Sequence, residues 1–140
     1  MQLPKDAHEF SYRHSVYMQE PRQVILSATF ALIPDDPDAI KARMEDFMAR
    51  RREKQPLEYP SAGSTFRRPE GYFAGKLISD AGLRGYRIGG ASVSEKHAGF
   101  VINDGNATAA DVKALIAHIQ KTVEEKFGVQ LQREVIYFGD

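Results

Sequence analysis

Cysteine is absent from the 140 residues, and so is tryptophan. Without thiols the chain makes no disulfide, thiolate zinc site, iron–sulfur cluster or cysteine nucleophile, so hydroxyl, carboxylate, imidazole and guanidinium groups are left to carry any chemistry. Long apolar runs are missing too. Nothing approaches the ~18–20 residues that a membrane-spanning helix needs, and the opening MQLPKDAHEF lacks the apolar core of a signal peptide. These absences suit a cytoplasmic protein. There is no internal repeat and no low-complexity stretch. The length allows one domain, or one domain and a fragment, but not a nucleotide-cofactor domain together with a separate substrate domain.

Net charge is also lacking, since 19 Lys and Arg balance 19 Asp and Glu. The two signs are unevenly spread. Residues 1–49 hold 5 basic and 8 acidic side chains, residues 50–87 hold 9 and 4, and residues 88–140 hold 5 and 7. The basic middle comprises Arg50, Arg51, Arg52, Lys54, Arg67, Arg68, Lys76, Arg84 and Arg87, interleaved with Tyr59, Phe66, Tyr72, Phe73 and Tyr86. The default reading is a solvated basic face. Acidic flanks and balanced charge argue against nucleic acid, which rewards a strongly basic domain by counterion release, and favour a small mono- or diphosphate as the anion.

Gln23 to Ile33 alternates Val24, Leu26, Ala28, Phe30 and Leu32 against Ser27 and Thr29, the period-two pattern of a strand with one buried face. FSYRHSVYM before it reads as a shorter strand or a loop. Asp36 and Pro37 open a helix to about Arg52, with Ile40, Met44, Phe47 and Met48 at helical spacing. Pro56 and Pro60 mark a boundary. Beyond it, Ser61–Phe66 reads as a strand that something approaches closely, RRPEG as a turn, and Phe73–Ala81 as a short helix stopped by Gly82. GYRIGGASVS and GFVIN read as two strands across the turn SEKHA. Thr108 and Asp111 form a capping box for a helix with the apolar stripe Val112, Leu115, Ile116, Ile119, Val123 and Phe127, ended by Gly128. VQLQREVIYF reads as a final strand.

This order predicts an α+β fold, a mixed sheet packed by two or three helices. Residues 1–56 read as a separate strand and helix, and the strand has too few partners of its own to build a sheet, which suggests that its partners lie upstream.

Among chemical constellations, His8, His14, His97 and His118 include no pair at a metal-ligand spacing. His118 reads as solvated on the outer helix face, and His97 as a turn residue open to a functional role. Neither GxGxxG nor a phosphate-binding GxxxxGK loop occurs; Gly85, Gly89 and Gly90 read as a bulge or as close packing. Ser64 follows two very small residues and lies just upstream of Arg67 and Arg68, a place where serine is ordinarily a turn residue. Glu134 belongs to a polar strand face with Gln130 and Gln132, and Arg13 taken alone is an ordinary surface arginine.

In order, FSYRHS with VILSATFAL, RREKQP, PSAGSTFRRP, AGKLISDAGLRGYRIGGASVSEKHAGFVIN, GNATAADV and EKFGVQLQREV span nearly the whole chain. This succession resembles the C-terminal part of the UDP-N-acetylenolpyruvoylglucosamine reductases, flavoenzymes of peptidoglycan synthesis. The resemblance implies that residues 1–56 are the tail of an FAD-binding domain and residues 57–140 a UDP-sugar substrate domain. FAD and NADPH would serve the full-length protein, with none expected on this fragment, which by itself would be inactive for want of the redox centre.

Carried over position by position, Ser64 in SAGS would be the proton donor and Glu134 in REV the carboxylate of the acid machinery. Arg13 in YRxS would hold the enolpyruvyl carboxylate. Lys54 and Arg84 would lie among the cations around the diphosphate, and His97 would contact substrate. Arg68 stands where family members often have asparagine facing the nucleotide. The short link from Leu32 to Pro37 leaves no room for the tyrosine-bearing loop of one subgroup, so the chain is similar to the other.

Two other classes stay open from sequence. One is a stand-alone module that binds UDP-sugars or phosphorylated ligands without catalysis. The other is an interaction fragment that dimerises or swaps strands through an unpaired sheet edge.

Overall fold

A computed structural model of the chain describes residues 3–18 and 24–137. It divides into two compact units, Met1–Asp36 and Pro37–Asp140.

The first unit is built from local turns. Lys5–His8 and Val16–Met18 are single 3-10 turns. Between them, Ser11 and His14 pair across a tight turn in which Arg13 has a left-handed backbone, φ 56°. The His8 ring stacks on Phe10 and its Nδ1 lies 2.6 Å from the Tyr17 hydroxyl.

Val24–Ile33 forms no ladder, and Leu26, Leu32 and Ile33 are more than four-fifths exposed. Alternation marks a face fit for burial, but a strand exists only by hydrogen bonding to another, and none is supplied among the described residues. Gln23, where the expected strand begins, lies outside them.

The second unit opens with α1, Pro37–Lys54, as the proline start and the good helix formers behind it dictate. Four strands and two more helices follow: β1 (Ser61–Ser64), α2 (Ala74–Asp80), β2 (Arg87–Ile88), β3 (Ala91–Val93), β4 (Phe100–Asn103) and α3 (Ala109–Phe127). The sheet order is β1-β4-β3-β2. Every pairing is antiparallel, so the α+β class holds while the expected mixed sheet is antiparallel throughout.

GYRIGGASVS is not one strand but two, turned back at Gly89–Gly90 so that Ile88 faces Ala91. Gly89 has φ +54°, and a Cβ at Gly90 would overlap the backbone of Gly105 and Ala107, so both glycines are required where they stand. The closing segment is not a full strand either. It meets the sheet through one bridge, Phe66 with Arg133, and Phe138, its expected last residue, lies outside the described residues.

The core lies between the sheet, α2 and α3, with Ile78, Val93, Leu115, Ile116, Ile119 and Val123 almost wholly buried. The α3 stripe is therefore the one expected from its periodicity, except that Phe127 is 39% exposed at the helix end. Thr108 and Asp111 cap α3 reciprocally, Gly128 ends it in a left-handed conformation, and Gly82 does the same just beyond α2. His118 is half-buried and stacks on Tyr86 with ring centroids 4.4 Å apart, rather than standing in solvent. The apolar face of α1 contributes nothing to the core, because α1 has no buried residue.

Candidate functional site

Thr65 organises the region around Ser64. Its N–H donates to the Gly99 carbonyl (2.8 Å), its carbonyl accepts from the Glu134 N–H (2.9 Å), and its buried Oγ1 accepts from the Val101 N–H (3.0 Å). One residue thus joins the end of β1, the start of β4 and the closing segment. Ser64 pairs with Phe100, and the register slips between Ser61 and Ser64, the irregularity that three small residues in a row permit.

Ser64 lies in a groove of about 500 Å³, within the usual range for small-molecule clefts of roughly 300–1,000 Å³. The groove is walled by Arg51 and Gln55, by the Pro56–Pro60 loop and by Phe100. Polar and cationic groups on one wall and aromatic surface on another suit a ligand that is part anion, part ring. Arg51 is itself oriented, its Nε donating to the Gln55 side-chain oxygen at 3.1 Å.

Lys96 braces this region from the β3–β4 turn. Its Nζ lies 2.7 Å from a Glu58 carboxylate oxygen and donates to the Arg52 carbonyl at 3.3 Å. The hydrogen bond from Lys96, followed by a backbone hydrogen bond, holds the Glu58 carboxyl below its ordinary range.

The residues expected to act together are distributed as follows. Glu134 is brought to the residue following Ser64 by the backbone pairing at Thr65, one residue behind the groove wall rather than in it. Its carboxylate Oε2 faces Arg67 Nε at 3.4 Å. His97 is half-buried in the turn before β4, where its Nδ1 accepts from the Gly99 N–H and its ring meets Phe100 edge-on at 4.9 Å. Because Gly99 also bonds Thr65 and Phe100 lines the groove, His97 is tied into the same assembly.

Arg84, on the loop after α2, donates to Ser79 Oγ at 2.8 Å and to the Glu95 carbonyl, so it clasps the turn that carries His97. Arg68 lies over the Phe73 ring at 4.0 Å, with its Nε donating to the Tyr72 carbonyl. Lys54 is the exposed last residue of α1, beside Gln55. Arg13 belongs to the other unit, 6.0 Å from the Tyr12 ring.

Sequence reasoning gives no role to Thr65 or Phe100, and places Arg51 and Arg67 only as members of the basic middle. Only the doubled arginine after a strand gave a signal, since alternation along an extended segment sends Arg67 and Arg68 to opposite faces. Among the described residues no three His, Asp or Glu side chains are grouped to hold a metal ion.

The family model for the UDP-N-acetylenolpyruvoylglucosamine reductase C-terminal domain matches residues 55–138. The chain belongs to this reductase family. A UDP-N-acetylenolpyruvoylglucosamine reductase of Agathobacter rectalis is 59% identical over 138 residues, covering 99% of this chain and 44% of its own length. The reductase of Clostridium novyi is 56% identical over 140 residues, covering 100% and 45%. The chain therefore spans less than half the length of the curated family members it matches. A crystal structure of the reductase from Thermus caldophilus superposes with a TM-score of 0.56 at 35% identity, over 71% of this chain and 35% of that one. The α+β class is thus shared with an experimentally determined family member.

Proposed function

We propose that these residues form the substrate-binding portion of a flavin-dependent, NADPH-driven reductase that converts UDP-N-acetylenolpyruvoylglucosamine to UDP-N-acetylmuramate. This is a cytoplasmic reaction of peptidoglycan synthesis and so of cell-wall biogenesis. Residues 1–56 are assigned to the tail of the FAD-binding domain and residues 57–140 to the UDP-sugar domain. The observation that carries the reading is the groove at Ser64, walled by Arg51 and Gln55 and cross-tied through Thr65 to Glu134.

The residues described here do not fit an FAD pyrophosphate. The α3 N-terminus is closed by Thr108 and the carboxylate of Asp111, α1 begins beside Asp35, Asp36 and Asp38, and α2 is only seven residues long. The flavin is accordingly assigned to the rest of the family protein, where it would supply the reducing equivalent. These 140 residues assayed by themselves are read as inactive.

What remains for this chain is to bind the sugar nucleotide and to protonate the α-carbon. Ser64 gives up its hydroxyl proton there, which a serine can do only toward a strongly basic carbon in a preorganised site. Glu134 shapes the field around that transfer. Arg13 offers the planar pair of donors that a carboxylate takes, while Lys54, Arg84, Arg68 and His97 serve the nucleotide end of the substrate.

The test is Ser64→Ala in a full-length reductase carrying these residues. Reduction of the flavin by NADPH keeps its rate, and the step that consumes the enolpyruvyl substrate slows by roughly 10²–10⁴-fold, as loss of a general acid does. An unchanged substrate step in stopped-flow absorbance removes Ser64 from the proposal.

A further inference from the structure

Arg67 is the side chain that the backbone register turns toward Glu134. Residues 65–67 run antiparallel to residues 132–134: the Arg67 N–H donates to the Gln132 carbonyl and the Glu134 N–H to the Thr65 carbonyl, each at 2.9 Å, about the Phe66–Arg133 bridge. In such a ladder Thr65 stands opposite Glu134, and Arg67 is the diagonal neighbour on the same face. The side chains meet accordingly, with Arg67 Nε 3.4 Å from Glu134 Oε2 and both atoms shut off from solvent. Arg68, one residue on, points the other way and is held over Phe73.

We propose that Arg67 is the positioning residue for Glu134, fixing the carboxylate behind the Ser64 groove. This rests on the reading of Glu134 as part of the acid machinery. The argument is geometric and electrostatic. A glutamate has three side-chain torsions and would otherwise sample many positions. A guanidinium set diagonally across a two-stranded ladder selects one of them and offsets its charge without entering the groove. Thr65, locked by three hydrogen bonds, transmits that position to Ser64, the residue before it in the chain. Because Arg67 does not line the groove, its loss should act on turnover and leave substrate affinity alone.

The experiment is a double-mutant cycle in a full-length reductase carrying this segment, comparing Arg67→Met, Glu134→Gln and the pair, with Arg67→Lys as the conservative variant. Arg67→Met is expected to slow the substrate half-reaction by on the order of tenfold to a hundredfold, the scale of a misplaced catalytic group. KM, flavin reduction by NADPH and the affinity for UDP-N-acetylglucosamine should be unchanged. In the Glu134→Gln background the same change should cost nothing further, and Arg67→Lys, which keeps a cation within reach, should recover much of the rate. Losses that multiply in the double variant overturn the positioning role, because Arg67 would then act independently of Glu134. A raised KM also overturns it, by making Arg67 a direct ligand of substrate. If Glu134→Gln leaves the substrate half-reaction untouched, the reading of Glu134 itself falls, a result distinct from either of these.

Discussion

Thr65 shows what a single hydroxyl can hold together. Its Oγ1 is buried and accepts the Val101 N–H, so Thr65→Val, close in shape but without that acceptor, leaves a buried donor of β4 without its partner. The expected cost is about 1–3 kcal/mol, read as a lower urea midpoint, and Thr65→Ser should restore most of it. An unchanged midpoint for the valine variant would show that the bond stabilises nothing. Nothing in the string SAGSTF singled out this threonine, because its importance comes from Gly99, Val101 and Glu134, residues 34 to 69 positions away. Ser64, by contrast, drew notice through the small residues before it, and its place in a groove is seen in the fold, while its proposed role comes from family resemblance. Arg67 and Arg68 were indistinguishable in the text until the ladder assigned each a face.

Elements whose rules are local were the easiest to read. Helix α3 begins and ends where Thr108, Asp111 and Gly128 say it should, because capping and left-handed termination involve only neighbours in sequence. The hairpin at Gly89–Gly90 was missed because the two glycines read as a bulge or as close packing, although the apolar alternation changes phase there, from Tyr86 and Ile88 to Ala91 and Val93. Its tightness depends on residues 105 and 107, together with Asp111, which sits against Gly89. Asp111 also has a measurable pH signature. Hydrogen bonds from the Thr108 backbone and side chain hold its carboxyl below the ordinary value of 3.8. A depressed folded value means that its contribution to stability is present in full above the unfolded value and is lost as pH falls through the folded one. Asp111→Asn should therefore flatten the acid limb of the stability curve, with the gap from the parent chain closing below about pH 4. Parallel acid limbs in urea melts at successive pH values would contradict the capping box as the cause.

At the scale of the molecule, the largest departure from expectation lies in what the chain leaves uncovered. Val24, Leu26, Phe30, Leu32 and Ile33 of the first unit are each more than three-quarters exposed, and Met44 and Phe47 of α1 are more than three-fifths exposed. Their spacing is that expected of faces made for burial, but periodicity names the face and not the partner. Fully burying side chains of this kind is worth about 1.5–3 kcal/mol apiece, so joining a few of them outweighs the lower estimates of association cost, which begin near 4 kcal/mol. The 140-residue chain by itself is therefore expected to self-associate at micromolar concentrations, as a dimer or through strand exchange at Val24–Ile33. Sedimentation velocity over a concentration series checks this. Leu26→Lys with Leu32→Lys should shift the distribution toward monomer, since a charge on an exposed edge opposes pairing. A chain that sediments as a monomer at every concentration, with or without the lysines, would mean that these apolar faces drive no association between copies. Inside a full-length reductase the same two substitutions should instead lower thermal stability, because there the face would be buried against the rest of the protein.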